Sequence, residues 1–454
     1  MAVTEDRLVH RSRHSITLLA AGLLLWGARV EAQALPKIEG PLTMEQAVVL
    51  SLEHSRKVKA SGADQRAMAS MRGEAFAGFL PQVSANGYLV NQNMRPNVYF
   101  SAGESMARNF QLFGTNRAQD LNLTAMWPIF SGGRTYYGYK AASARAESAT
   151  QMLRGTEVEV AMQIRLDYIG TVQEQANARV TGELLKQTEE RLRLSREEFA
   201  AGRVARFNVL RDEAELANAI QMDTMARSRA ELALIALKTT LGVDLASPIT
   251  VTEPLRYEPT KVSVDEGIRQ AVETHPEVQA VAKQLQAAEA EIRAALGRYL
   301  PELSATWMYD WQRMRNRGDE MTETPEGYSA GLVLTIPLFD GFMRENAIGT
   351  ARARRDKVRE VEVLARQQVA KEVNRAALML AAAEKNVEAS RKGQEQAEEQ
   401  FRIVQERYAT GRGIQVEVLD AQTALTRARF NVVAALADHQ TARAMWLQAT
   451  GRVR

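Results

Sequence analysis

The sequence predicts a mainly α fold with a β-barrel portion: a duplicated repeat giving four transmembrane strands and long coiled-coil helices per chain. Three observations carry this reading. Short motifs recur at a fixed offset, proline is confined to a few places, and between the paired prolines the hydrophobic period changes from helical to two.

The duplication sets the frame. Leu80-Pro81 recurs as Leu300-Pro301 at an offset of 220. Pro128-Ile129-Phe130-Ser131-Gly132 recurs as Pro337-Leu338-Phe339-Asp340-Gly341 at an offset of 209. The same 209 relates Phe199-Ala200-Ala201-Gly202-Arg203 to Tyr408-Ala409-Thr410-Gly411-Arg412, and Leu241-Gly242 to Thr450-Gly451. The offset shrinks because the first half carries a longer loop between its prolines. Two similar repeats follow, 33–246 and 262–454, joined by a Pro-containing linker at 247–261.

The elements follow in order. Arg7, His10, Arg11, Arg13 and His14 precede an uncharged apolar run from Ile16 to Trp26, then small residues at Ala28, Ala32 and Ala34. That is the layout of a cleaved secretory signal over 1–32, with cleavage after Ala32 or Ala34. The run is too short to span a bilayer, which needs about 20 residues. No Cys follows it, so no lipid anchor is expected. Each repeat then opens with a helix and continues with a β-hairpin, at 82–130 and 302–338. Leu303, Ala305, Trp307, Tyr309 and Trp311 alternate with polar neighbours, as do Tyr328, Ala330, Leu332, Leu334 and Ile336. Leu121, Leu123, Ala125 and Trp127 repeat the pattern, and Val83, Ala85 and Leu89 do so weakly. These make strands of about 9–11 residues, the length of a tilted membrane-crossing strand. Tyr88, Trp127, Trp307, Trp311 and Tyr328 suit an interfacial girdle.

No Pro lies between Pro128 and Pro248 or after Pro337, so the segments that follow can be long helices. They are 135–200 and 344–409, each about 100 Å at 1.5 Å per residue, followed by helices at 204–241 and 414–450. Apolar residues recur every seven positions at Ala178, Leu185, Leu192 and Phe199, and at Val387, Phe401 and Tyr408, with Gln394 the exception. That spacing packs helices along their length as coiled coils. Gly202 and Gly411 end the long helices, which makes two antiparallel hairpins with tight tips.

Composition excludes several function classes. Absence of Cys rules out disulfides and Cys-based metal sites. With 58 Lys+Arg against 55 Asp+Glu there is no basic surplus for nucleic acid. His54, His275 and His439 lack partners at metal-ligand spacing and read as surface or packed residues. There is no phosphate-binding loop or nucleophile motif, so no enzymatic chemistry, cofactor or metal is expected. Four strands are too few to close a membrane barrel, which needs about eight, whereas a trimer supplies twelve.

The paired Leu-Pro, Pro-Ile-Phe-Ser-Gly-Gly and Pro-Leu-Phe-Asp-Gly motifs and the Gly-Arg tips, in order and twice, resemble the TolC family of outer-membrane efflux and secretion channels. The resemblance implies a homotrimer with a 12-stranded barrel in outer-membrane lipid and an α-helical periplasmic tunnel. It also implies a periplasmic adaptor and an inner-membrane pump or ABC exporter as partners. Pro81, Pro128, Pro301 and Pro337 would mark strand–helix transitions.

The family narrows its periplasmic end with acids past the second tip. Glu417 and Asp420 match those positions, and their i, i+3 spacing puts both carboxylates on one helix face. Tyr408 matches the family's tip tyrosine. Gly413 stands where the family has Arg, with Arg412 one position early, and Phe207 and Asn208 replace a polar residue and an Asp. Arg203, Arg206 or Arg211 of one hairpin is expected to pair with Glu417 or Asp420 of another in the closed state. The tips Gly202-Arg203 and Gly411-Arg412 are expected to dock the adaptor. The function implied is an exit duct for small molecules or polypeptides. The alternative is a periplasmic coiled-coil scaffold that never enters a membrane.

Overall fold

The computed structural model describes residues 37–38, 40–91, 115–316, 322–323 and 326–451. The expected signal segment and the outer ends of both β-hairpins lie outside the described residues. In chain order the elements are β1 (Gly40–Leu42), α1 (Met44–His54), α2 (Arg56–Ala77), β2 (Gln82–Asn91), β3 (Thr115–Ser131), α3 (Arg134–Ala200), α4 (Arg206–Leu241) and β4 (Ile249–Val251). The second repeat follows as α5 (Val264–Thr274), α6 (Pro276–Leu296), β5 (Glu302–Asn316), β6 (Thr322–Glu323), β7 (Glu326–Thr335), α7 (Met343–Ala409) and α8 (Gln415–Ala449). The long helices α3 and α7 both have 67 residues.

The helix expected at the head of each repeat is two helices. At Ser55 the backbone turns extended (ψ 123°) and the side chain accepts from the Val58 N–H, capping α2. At the matching place in the second repeat, Pro276 is the first residue of α6 and holds His275 extended (ψ 127°).

The strands β2, β3, β5 and β7 form one antiparallel sheet in that order, with β6 a short addition against β5. Register aligns the alternating residues across all four. Val83 faces Ala125, Ala125 faces Trp307, and Trp307 faces Ala330, while Leu123, Tyr309 and Tyr328 form the next apolar row. The opposite face carries Asn86, Asn122 and Asp310 at one level, and the Asn86 amide donates to Asn122 Oδ1 at 3.0 Å. Tyr88 belongs to that polar face, two residues on from Asn86, so it departs from the girdle assigned to it. Among the described residues, the outer strands β2 and β7 each pair on one side only.

The prolines sit differently from the expectation at two places. Pro81 and Pro301 immediately precede β2 and β5. Pro128 is no terminus, since β3 continues to Ser131, giving 17 residues. Beyond Met126, β3 has only β5 as a neighbour, and its register slips between Pro128 and Phe130. A proline is tolerated at such an irregularity because fewer ladder bonds depend on its missing N–H. Pro337 lies two residues beyond the end of β7, in irregular chain that leads to α7.

The stretch read as a linker contains β4, which pairs in parallel with β1. This brace closes over a core of Leu42, Ile164, Tyr168, Leu237, Leu241 and Ile249. The Tyr168 hydroxyl donates to Leu42 O at 2.9 Å and accepts from the N–H groups of Thr252 and Glu253. The second repeat has its own core of Val369, Val373, Leu380 and Trp446 with α5 and α6 residues.

The heptad seams are partly shifted. On α7, Leu380, Ala383, Val387 and Ala397 are buried, and Gln394, Phe401 and Tyr408 continue that column half-buried. On α3 the buried column is Thr181, Thr188 and Ser195 with Leu192, whereas Phe199 is exposed. Facing acids of α4 explain the shift: Thr181 donates to Asp223 at 3.1 Å and Ser195 to Asp212. A buried carboxylate needs donors that a purely apolar column would not supply.

Candidate functional site

Both tips are built the same way. Gly202 (φ 69°) and Gly411 (φ 72°) take the left-handed conformation that ends a helix at low steric cost. The Gly202 N–H donates to Phe199 O and the Arg203 N–H to Glu198 O; Gly411 and Arg412 repeat this with Tyr408 O and Arg407 O. These paired bonds satisfy the last carbonyls of α3 and α7. The chain stays extended through Ala205 (ψ 152°) and Ile414 (ψ 151°). Consequently α4 starts at Arg206 and α8 at Gln415, later than the expected 204 and 414.

Glu417 and Asp420 fall in the first turns of α8, beside the buried Val418 and Leu419. Within the protomer the cation beside Glu417 is Arg407 of its own hairpin, with Nη1 at 3.9 Å from Oε2. None of the ion pairs found among the described residues joins Arg203, Arg206 or Arg211 to either acid. Phe207 is exposed, and the Asn208 carbonyl accepts from Gln415 Nε2 at 3.4 Å, tying one tip to the other. A Cβ on Gly413 would come 3.0 Å from the Tyr408 nitrogen and 3.3 Å from the Arg407 carbonyl carbon. A side chain there would have to push that backbone aside by a few tenths of an ångström. Burial, then the nearby Glu198 and Asp212, push the Tyr408 hydroxyl pKa up, with Arg191 opposing.

Between the hairpins lies a polar node that the sequence did not reveal. Asp212 of α4 is fully buried and receives Arg191 Nε at 3.0 Å together with the Ser195 hydroxyl. Arg191 also bonds Gln422 of α8, whose amide reaches Gln187 Oε1 at 3.4 Å. One side chain of α3 thus holds both its own hairpin and the other one. Sequence reasoning missed it because Arg191 and Gln422 are 231 residues apart, and nothing local marks the pair.

At the other end of the tunnel helices, the turn after β3 crosses the turn before β5. A Cβ on Gly132 would lie 2.2 Å from the Gly297 carbonyl oxygen, and one on Gly297 would lie 2.4 Å from that of Gly132. The repeats touch here backbone to backbone.

Among the described residues no helix is long and apolar enough to cross a membrane, and no group of three or more His, Asp or Glu could hold a metal. His439 is fully buried against the Tyr257 ring, 4.8 Å between centroids.

The sequence profile of the outer membrane efflux proteins matches residues 47–243 and 267–452, once per repeat. The chain belongs to the outer membrane efflux protein family. Protein CyaE of Bordetella pertussis is 27% identical over 444 residues, covering 93% of this chain and 89% of its own. Outer membrane efflux protein BepC of Brucella suis is 25% identical over 440 residues, covering 96% and 90%. The CmeC outer membrane channel of Campylobacter jejuni superposes with a TM-score of 0.75 at 17% identity, over 90% of this chain and 85% of that one. A membrane protein of Pseudomonas aeruginosa gives the same TM-score at 19% identity. The TolC-type fold and the exit-duct role expected from the sequence follow from this membership, and the soluble scaffold does not. Channels of this family form trimers, reside in the Gram-negative outer membrane with a periplasmic extension, and work with adaptor and inner-membrane pump components.

Proposed function

We propose that this protein is a passive exit duct in which the energy comes from an inner-membrane pump or ABC exporter reached through a periplasmic adaptor. The carrying observation is the sheet. Its apolar rows align on one face across β2, β3, β5 and β7 while, among the described residues, both outer strands have an open edge. A sheet of this kind is one third of a closed barrel, with the apolar face toward outer-membrane lipid and the Asn86–Asn122–Asp310 face toward the lumen. Cleavage of the leader after Ala32 or Ala34 delivers the chain without a lipid anchor.

Glu417 and Asp420 supply the charge at the periplasmic entrance. Three copies bring six carboxylates to one level, a cation-attracting ring. Tyr408, Arg412, Phe207, Asn208 and Arg211 surround that level, and Gly202-Arg203 and Gly411-Arg412 form the end that meets the adaptor. Purified channel in a planar bilayer tests this reading. Glu417→Ala with Asp420→Ala is expected to lower cation preference and raise conductance; unchanged selectivity and conductance would refute the ring. Bulky substitution at Arg203 and Arg412 is expected to abolish export while the trimer still assembles.

A further inference from the structure

The chain between β4 and α5 carries Pro254 and Pro259 and forms neither helix nor strand. Among the described residues, no backbone–backbone hydrogen bond involves residues 252–262. Upstream this strap is fixed to the first repeat, where the Thr252 and Glu253 N–H groups donate to the Tyr168 hydroxyl. Downstream it enters α5 at Val264. Between these anchors, residues 256–260 lie on the hairpin of α7 and α8 and are tied to both helices through side chains. On α8, Gln440 Nε2 donates to the Arg256 carbonyl at 3.4 Å, and Arg443 pairs with Glu258. On α7, Glu384 accepts from the Thr260 N–H at 3.4 Å, and the Arg391 guanidinium stands 5.6 Å from the centroid of the Tyr257 ring.

His439 of α8 sits beneath this strap. It is fully buried, its ring centroid is 4.8 Å from that of Tyr257, and neither ring nitrogen has a hydrogen-bond partner. The charged groups facing it are Glu258 of the strap, Glu384 of α7 and Arg443 of its own helix. Both acids are already committed, Glu384 to the Thr260 N–H and Glu258 to Arg443. A proton on the covered ring would therefore find no free counter-charge. Burial holds the pKa of the covered ring below its ordinary value. An uncovered ring takes up its proton near 6.5, so acid favours the uncovered state.

We propose that residues 256–260 form an acid-released clasp on the second hairpin, shut while His439 is neutral beneath Tyr257 and let go when that ring is protonated. The charged imidazole competes for Glu384 and Glu258, which removes one tie to α7 and one to α8. The helices themselves stay packed, because Val373, Leu380 and Trp446 in their core do not titrate. The first repeat has no counterpart. Where the second carries Glu384, Arg391, His439 and Arg443, the first carries Gln175, Gly182, Ala230 and Leu234. The clasp thus belongs only to the hairpin that bears Glu417 and Asp420.

Trypsin provides the test, since Arg256 and Lys261 both lie in the strap and cleavage there requires the strap to leave the helices. The full chain in detergent is digested at several pH values, and fragment masses identify the cut. Each rate is divided by that of an unstructured peptide at the same pH. While release is fast relative to cleavage, the quotient follows the released population. It is expected to rise about tenfold as the pH is lowered to roughly one unit below the ordinary histidine value, the limit for a single titrating group. In His439→Leu the quotient stays flat. His439→Gln, equally unable to take up a proton, repeats the test with a polar side chain, so the result does not hang on whether leucine fits. Arg443→Met is cleaved faster at every pH because the Glu258 tie is gone, and it keeps the rise. His275→Leu also keeps the rise. A quotient in the unaltered chain that ignores pH, or a rise that persists in both His439 variants, would overturn the clasp.

Discussion

The two repeats bend the chain into the same turn between strand and long helix, yet the residues at that turn are under different constraints. In the first repeat Gly132 (φ 63°) and Gly133 (φ 79°) make the turn, and in the second Gly341 (φ 68°) and Phe342 (φ 68°) do. Gly132 is fixed by contact, because the Gly297 carbonyl leaves no space for a Cβ. Gly341 meets nothing within 4 Å in the protomer, and Phe342 is 63% exposed beside Phe339, their rings 5.8 Å apart. A left-handed residue with a side chain costs about 1–2 kcal/mol, and an open surface can accept that whereas a backbone crossing cannot. One turn conformation thus asks for glycine through φ alone in one repeat and through φ and packing together in the other.

The comparison can be broken first at the turns themselves. Gly132→Ala is expected to destabilise the protomer by about 4 kcal/mol, adding steric overlap to the conformational cost. Gly341→Ala should cost the protomer only about 1 kcal/mol. Thermal unfolding in detergent measures both, and equal losses would show that contact with Gly297 is immaterial.

A second contrast separates the two acids near the tips. Removing the guanidinium in Arg191→Met leaves the fully buried Asp212 without its cation, a loss of about 3 kcal/mol. Arg407→Met removes only a half-exposed partner from Glu417, worth under about 1 kcal/mol. Chemical denaturation of the two variants distinguishes them. A matching drop in both would mean that the node between hairpins is no stronger than the tip pair.

A smaller effect is expected at the last residue of the tip. Gly413→Val forces the Tyr408 backbone aside and should cost about 2 kcal/mol. Its mate position already holds Val204, so Val204→Ala should change stability by less than about 0.5 kcal/mol. Adaptor binding measured on both variants would show whether only the second tip depends on its tight form.

The smallest effect is one of pH. Burial lowers the pKa of His439, opposed by the nearby Glu384 and Glu258 and reinforced by Arg443. Its mate in the first repeat is Ala230, so this titration belongs to the second repeat alone. The folded state binds fewer protons than the unfolded one, so stability is full above the unfolded value near 6.5 and declines as pH falls toward the lowered one. His275 shifts in the same direction, chiefly through burial. His439→Leu should flatten the acid limb of melting temperature against pH, and an unchanged limb would assign it to other groups.

Periodicity, proline placement and repeated motifs made the long helices legible to within two residues at their ends, because each depends on neighbours three or four positions away. The alternation in β5 and β7 was legible for the same reason. The shifted column Thr181–Thr188–Ser195 was not, since burying hydroxyls is favourable only once Asp212 and Asp223 stand opposite. The β1–β4 brace and the Tyr168 bonds to Leu42, Thr252 and Glu253 were hidden as well, because they join chain segments at least 84 residues apart.

By itself, then, the sequence determined the repeat, the order of its long strands and long helices, the glycine-ended tips and the i, i+3 spacing of Glu417 and Asp420 on one helical face. Only the tertiary structure decided which cation stands beside Glu417, that Arg191 links two hairpins through Asp212 and Gln422, and that Tyr88 lies on the polar face of its sheet. The reason is physical. Helix and strand periods are set by bonds between near neighbours along the chain, whereas partner choice between elements depends on distances that exist only after those elements have packed.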